Sequence, residues 1–431
     1  MRLALWFLGL FGVAVALALF ASHNTATITV FWPPHRVDLS LNMVVLLLGL
    51  LFVLLHLALK ALSALFDLPT QARSWRLRHQ ERMIYGALLD AIFHFVAGRY
   101  LRARKAALTL LEQEAALSQS GEDWPQATRL RVMAHLLAAE SSQALQDHPA
   151  RESHFQQAMQ LSHLRHSGGI QEGLLLRAVR WSLQDSDAHA ALRWLELLPS
   201  GVARRTVALR MRLKVARLAG KQALALETAR LLAKHRAFSP DSAKGLIRSL
   251  AQDWLLNTFD VSQLEQVWAQ LEAHEKSMPE VACAGAGRAL RLGGSPGLAF
   301  DWLLPVWDHL VKAPQDFSSE QKTMLVRVME NAFSASEGVV QSPWLARVER
   351  ARETYPGEVV FQYLAGVACF HAQLWGKAHQ LLTQALPRLE DEGLQAKVWQ
   401  ILAELAQRLG DEPQAAAAWR EAAQLRLRRK G

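Results

Sequence analysis

Histidine and cysteine have the widest chemical reach of the residues in this 431-residue chain, and their spacing gives little purchase for catalysis. His163 and His166 lie three apart, so a helix would turn both to one side. Nothing else with ligand chemistry stands near, and the pair reads as surface. His371 and His379 flank a turn and read the same way. Cys283 and Cys369 are the 2 cysteines, with no CxxC, CxxCH or Cys/His company. That spacing suggests neither a zinc site, nor c-type haem attachment, nor a disulfide framework; each reads as a small buried apolar residue. There is no Gly-rich phosphate loop after a strand, no GxSxG, no HExxH and no Walker pattern. The expectation is a non-enzyme with no catalytic residue, metal ligand or resident cofactor. The 14 tryptophans could be taken for a ligand box, but Trp194, Trp268, Trp302, Trp375, Trp399 and Trp419 fall at helical spacing and are expected to pack between helices.

The clearest element is near the C-terminus. Trp399, Leu402, Ala403 and Ala406 form one apolar stripe, Gly410-Asp411 breaks it, and Ala415, Trp419 and Ala422 resume it. Small residues at Ala403, Ala415 and Ala422 let two antiparallel helices approach closely. The pattern resembles a tetratricopeptide repeat (TPR). One such unit cannot bury its own apolar faces, so neighbours must stack against it. The unit before it, Val359–His371 and Gly376–Leu389, carries Gly366, Trp375, Ala378, Leu382 and Ala385. In such arrays the first helix of each pair lines a concave surface. Its outward positions are expected to include Lys397, Gln400, Glu404, Gln407 and Arg408 in the last unit, and Tyr363 and His371 in the one before; these are the expected partner contacts.

Toward the N-terminus the chain reads as helix after helix back to Thr70. Pairs flank Gly98, Asp147-His148-Pro149, Asp185-Ser186-Asp187, Gly220 and Gly293-Gly294. Ala243–Asn257 and Ser262–His274 form a less regular pair. Gln321–Ala335 reads as an isolated helix, followed by Trp344–Tyr355.

Before Thr70 the character changes. Leu3–Ala21 carries no charge and would span roughly 28 Å as a helix, about the hydrocarbon thickness of a bilayer. Met43–Leu59 is a second uncharged run, interrupted only by His56, which reads as a neutral imidazole near the membrane edge. Two runs favour a membrane hairpin over a cleaved signal peptide, for which Arg2 alone is a thin charged region. Between them, Ile28, Val30 and Trp32, then Val37, Leu39 and Leu41, alternate about Pro33-Pro34 as two short strands. The loop Ser22–Asn42 holds one basic residue, Arg36, whereas Lys60, Arg73, Arg76, Arg78 and Arg82 follow the second run. Positive flanks stay in the cytoplasm, so both chain ends should face it. Pro69 is expected to stop or bend the second helix. Arg73, Trp75, Arg76, Arg78 and Arg82 would then lie along anionic lipid headgroups, at about 1 kcal/mol per basic residue.

The net charge of +9 sits mainly in that segment and in the tail Arg426, Arg428, Arg429 and Lys430. The long middle is near neutral, which argues against a nucleic-acid face. The expected fold is all-α: two N-terminal transmembrane helices followed by a TPR-like α-solenoid, with a short β-hairpin in the external loop. The expected layout is a membrane hairpin over 1–66 (spans 3–21 and 43–62, loop 22–42) and a basic juxtamembrane segment over 67–82. Irregular repeats over 83–312, connecting helices over 313–358, a C-terminal repeat pair over 359–425 and a basic tail over 426–431 follow.

This architecture resembles the HemY family of inner-membrane proteins of Gram-negative bacteria. The resemblance rests on the hairpin with its strand-like loop, Gln71-Ala72-Arg73-Ser74-Trp75, Ala87-Leu88-Leu89 leading to Ala97-Gly98-Arg99-Tyr100, and Leu136-Leu137-Ala138-Ala139-Glu140. Gly366, Trp375, Lys377-Ala378, Trp399, Leu402-Ala403 and Ala415 complete it. It implies an inner-membrane scaffold that binds proteins of late haem (porphyrin) biosynthesis. The same name has been used for an unrelated flavin-dependent oxidase, but this chain lacks the strand–GxGxxG–helix that a flavin would need. Direct haem or porphyrin binding, and a general role in assembling envelope complexes, stand as alternatives.

Overall fold

The computed structural model describes residues 2–22, 25–119, 126–163, 169–336 and 342–428. Within 64–74, as at Arg428, only the backbone is described, so Arg73 and the tail from Arg428 onward lie outside the described side chains; so does His166. The chain divides into two compact units, Met1–Gln171 and Glu172–Gly431.

The first unit opens with α1 (Arg2–Ser22), in which Trp6, Phe7, Leu8, Leu10, Phe11, Val13, Val15 and Leu19 stand exposed. Strands β1 (Thr27–Trp32) and β2 (His35–Ser40) pair antiparallel, with Ile28 opposite Leu39 and Val30 opposite Val37. Those pairs make an apolar face, as the alternation requires. On the other face the Thr29 hydroxyl donates to Asp38 at 2.6 Å, beside Arg36. Leu41, expected to end the second strand, instead starts α2 (Leu41–Val96), because the Ser40 hydroxyl accepts the Met43 N–H and caps the helix.

Helix α2 is the long element of the fold. Its segment Leu41–Ser63 is apolar enough and long enough to cross a membrane, and none of it is buried within the protein. The helix does not stop at Pro69; it runs on to Val96. A proline clashes with only one preceding turn, and the helical hydrogen bonding on either side carries α2 past it. Beyond the span α2 forms an antiparallel hairpin with α3 (Tyr100–Gln119), and α4 (Ala127–Ala144) and α5 (His148–Ser162) form the next. Ile84, Leu110, Leu117, Leu130 and Ala134 are the buried contacts that hold α2, α3 and α4 together.

The second unit is a run of helix pairs. It begins with α6 (Ile170–Gln184), α7 (Ala188–Glu196) and the single-turn α8 (Ser200–Ala203). Then come α9 (Thr206–Leu218) with α10 (Gln222–Lys234), and α11 (Pro240–Leu256) with α12 (Val261–Gln270). The short α13 (Ala273–Lys276) precedes α14 (Pro279–Arg291) and α15 (Pro296–Lys312). The expected helix Ser262–His274 is therefore broken at Leu271, which is extended; Glu272 and Glu275 form a capping box that starts α13 afresh.

Helices α16 (Ser319–Ala335), α17 (Ser342–Thr354), α18 (Val359–His371), α19 (Trp375–Ala385), α20 (Glu392–Arg408) and α21 (Glu412–Arg428) complete the unit. Gln321–Ala335 is not isolated: α16 packs on α14, α15 and α18. One core, including Phe300, Trp307, Phe333, Trp344 and Phe361, runs unbroken from α14 to α20 across the buried Pro314. The tryptophans at helical spacing are packing residues: Trp268 and Trp302 stack 4.4 Å apart. First helices stack on first helices, α11 on α14, α14 on α16 and α16 on α18, which is TPR-type packing.

One turn geometry recurs. Gly98, Gly220, Gly293 and Gly410 have φ of 72°, 66°, 78° and 78°, just past a helix end. Gln146, Ser186, Arg236 and Gln373 take the same left-handed conformation at equivalent turns. After several of these, an aspartate caps the next helix: Asp147, Asp187 and Asp411 accept the N–H of Ala150, Ala190 and Gln414. Gln373→Gly should therefore raise the stability of the second unit by about 1 kcal/mol. Gly366→Ala should lower it by about 1–3 kcal/mol, because an added Cβ would stand 2.7 Å from Leu382. Thermal unfolding of the purified protein measures both.

Candidate functional site

The first helices α16, α18 and α20 share one face, tied together by charge. Lys322 Nζ meets Glu358 at 2.9 Å, Arg327 meets Asp391 at 2.5 Å, and Lys397 Nζ meets Glu330 at 3.3 Å. The last two reach from α16 to α20 across α18. Glu330 is buried and also accepts the Tyr363 hydroxyl at 2.6 Å. Burial and then the neighbouring Glu330 push the Tyr363 phenol well above its ordinary value, so it stays a donor. A cavity of about 760 Å³ lies along this face, with Lys322, Arg327, Glu358, Arg388 and Asp391 in its wall.

Several residues expected to meet a partner are instead committed within the fold. Tyr363 is fully buried and touches no solvent; its aromatic ring suits the core, and its hydroxyl is held by Glu330. Lys397 is half-buried and paired with Glu330. Gln400 accepts Arg426 Nη2 at 2.6 Å and donates to Glu404 at 3.3 Å. Arg408 lies over Trp375, 4.4 Å from the ring centre, although its side chain remains exposed. His371 lies 3.2 Å from the Ser334 hydroxyl; burial, then Lys397, lower it to about 4. Gln407 is exposed. Spacing alone placed these side chains outward; the α16-to-α20 ion pairs could not be read from it.

On the membrane side, Trp75 and Arg76 are exposed, and Trp75 stacks on His79 at 5.4 Å. Because α2 is unbroken, Arg82 stands about 28 Å along its axis from Ser63. The basic residues climb away from the apolar segment in series along the helix axis.

Sequence reasoning passed over another pair. His135 and His154 approach with their Nδ1 atoms 3.2 Å apart, on α4 and α5. Burial, then His154 and Arg131, lower His135 to about 4; burial first and then Arg104 lower His154. Both are therefore neutral, one ring donating and the other accepting. Their separation of nineteen residues offers no motif; only the αα-hairpin brings them together. Among the described residues no group of three or more His, Cys, Asp or Glu is placed to hold a metal. Cys283 and Cys369 are buried and free, and burial raises their thiols to about 12 and about 11. Such thiols are poor nucleophiles.

A second cavity in this unit, about 940 Å³, lies between α10, α11, α14 and α16. Phe238, Ile247, Met278 and Phe317 give it an apolar wall, with Arg236, Lys244, His274 and His309 around it. Glu275, close by on α13, is fully buried. Burial would raise its carboxyl, but Arg230 at 2.6 Å and the Glu272 N–H outweigh that and hold it below the usual range.

Residues 26–146 match the family described as HemY protein N-terminus. No curated protein matches it. Solved structures similar to it include the APC/C hetero-tetramer Cut9–Hcn1, at 14% identity over 78% of this chain and 65% of that one, with a TM-score of 0.24. Naa15/Naa10 bound to HypK-THB matches at 15% over 76% and 56%, with a TM-score of 0.22. The P58(IPK) TPR domain matches at 13% over 80% and 98%, with a TM-score of 0.21. This chain thus spans less than two thirds of the first two. At such scores the likeness carries no further argument; the TPR-type assignment rests on the helix pairs themselves.

Two outcomes follow from the geometry. Tyr363→Phe should cost about 1–3 kcal/mol, because it strips a donor from buried Glu330; chemical denaturation measures it. His135 and His371 titrate lower folded than unfolded, so their contribution is full above about pH 6.5 and is lost as pH falls toward 4. The melting temperature should drop between pH 7 and 5, and His135→Phe should flatten that slope.

Proposed function

We propose that this protein is a membrane-anchored TPR-type scaffold that holds proteins of late haem biosynthesis, with no reaction of its own. The observation that carries the reading is α2, whose membrane-length apolar segment continues as one helix into the first hairpin of stacked helix pairs. A body so attached is kept beside the membrane, where it can gather other proteins. The exposed apolar residues of α1 support a second span, and the basic residues after Ser63 support a cytoplasmic body at the inner membrane. The HemY-type match supports the link to haem.

One observation favours a second reading, direct porphyrin binding. The 940 Å³ cavity sets His274 and His309 beside an apolar wall, with the cations Arg236, Lys244 and Arg248 and the acids Glu280 and Asp316 also in its lining. That is the chemistry a flat apolar ring with carboxylate arms would need.

Affinity capture from solubilised membranes tests the scaffold: haem-pathway enzymes should be enriched, and their absence with only envelope-assembly proteins recovered would refute the assignment. Haemin titration tests the alternative. A Soret shift abolished by His309→Ala or His274→Ala would favour direct binding; the scaffold reading expects no saturable shift.

A further inference from the structure

In the first unit, the hairpin of α2 and α3 leaves one face uncovered. A groove of about 500 Å³ runs between the two helices on this face. Gly86, Ala87 and Ala106 make its floor, shallow enough for another helix backbone to approach. Arg82, Arg102 and Lys105 stand around it, none paired with an acid among the described residues, against the single acid Asp90. His94 Nδ1 and Gln113 Oε1, towards opposite ends of the groove, are both buried without a hydrogen-bond partner. Such orphaned atoms cost free energy until something bonds to them.

Apolar side chains border the groove on both sides. Leu89 and Phe93 are 66% and 64% exposed; Leu89 lies three residues after the groove's Gly86, and Phe93 four after Leu89, so they share its α2 edge. Leu101, 64% exposed, and Leu108 lie four before and three after Lys105 and share its α3 edge. The opposite side of α2, at Ile84 and Ala91, is already spent on the core. The face is therefore an apolar frame around a cationic channel, about 18 Å long from Arg82 to His94.

We infer that this face docks an amphipathic helix of another protein, one that sets Asp or Glu residues into the channel and apolar residues on its two edges. Charge decides between occupants. A second copy would bring Arg82, Arg102 and Lys105 against their own kind. A lipid surface is out of reach, since Phe93 lies about 45 Å along α2 from Ser63. An acidic helix neutralises the cations Arg82, Arg102 and Lys105 and covers Leu89, Phe93 and Leu101. This rests on the partner-holding reading but uses a surface separate from the C-terminal array.

The test is photocrosslinking in native membranes, with benzoylphenylalanine replacing Phe93 in the full chain, and Gln407 in a parallel sample. The face predicts an adduct at position 93 to a different protein, mapping by mass spectrometry to a helical segment rich in Asp or Glu. Its yield should fall at least tenfold in Arg102→Glu/Lys105→Glu, whose melting temperature should be unchanged because both residues are exposed and unpaired. A self-adduct, a lipid adduct, no adduct, or a yield indifferent to the charge reversal overturns the inference. Partners captured at 407 but not at 93 would sink this docking face and leave the scaffold standing; capture at neither would sink both.

Discussion

Helix α2 carries two characters in one continuous helix, and the architecture of the first unit follows from that. Over Leu41–Ser63 it presents apolar side chains all round, none of them buried within the protein, as a helix that crosses a bilayer would. From Ile84 to Val96 it presents a core face at Ile84 and Ala91 and a free face at Leu89 and Phe93. One hydrogen-bonded rod joins the two regimes. A loop at that junction would leave the first hairpin free to swivel. A continuous helix fixes the direction in which α3, α4 and α5 are built, and it sets the groove between α2 and α3 well beyond the apolar segment.

Beyond that rod the energetics become local. Helix hairpins bury their faces mainly against immediate neighbours, so stability is spread along each array rather than gathered at one centre. The turns keep the hairpins in register: a left-handed residue ends one helix and, at Asp147, Asp187 and Asp411, a carboxylate starts the next. Where the C-terminal helices depart from simple neighbour packing, they do so with charge. The links of Glu330 and Arg327 to α20 staple helices two pairs apart, and Glu330 holds Tyr363 as well. These bonds consume the very side chains that a smooth concave surface would offer to a partner.

How far the sequence could be read follows from that division. Helical period, small residues and turn glycines are local signals, so the hairpins around Gly98, Gly220, Gly293 and Gly410 were legible, as was the strand pair around Pro33-Pro34. Pro69 misled because its effect depends on whether the flanking turns can hold the helix together. The break at Leu271 was hidden because a capping box competes with a good helical pattern. Site residues were least legible. Tyr363, Lys397 and Gln400 occupy outward-looking positions by spacing, yet their partners come from residues 33, 67 and 26 positions away. The His135–His154 contact was invisible for the same reason. The groove between α2 and α3 combines two helices whose outward faces, taken singly, look like ordinary solvated surface.

The continuity of α2 is the claim on which this account turns, and one distance tests it. Spin labels at Ser63 and Phe93 of the full-length protein in lipid nanodiscs can be introduced as cysteines, because Cys283 and Cys369 are buried and their thiols suppressed. Double electron–electron resonance should give a single narrow distance of about 45 Å, the length of thirty residues of unbroken helix. A distance below about 35 Å, or a broad spread of distances, would mean that the helix folds back near Pro69, and the anchored-rod account would fail.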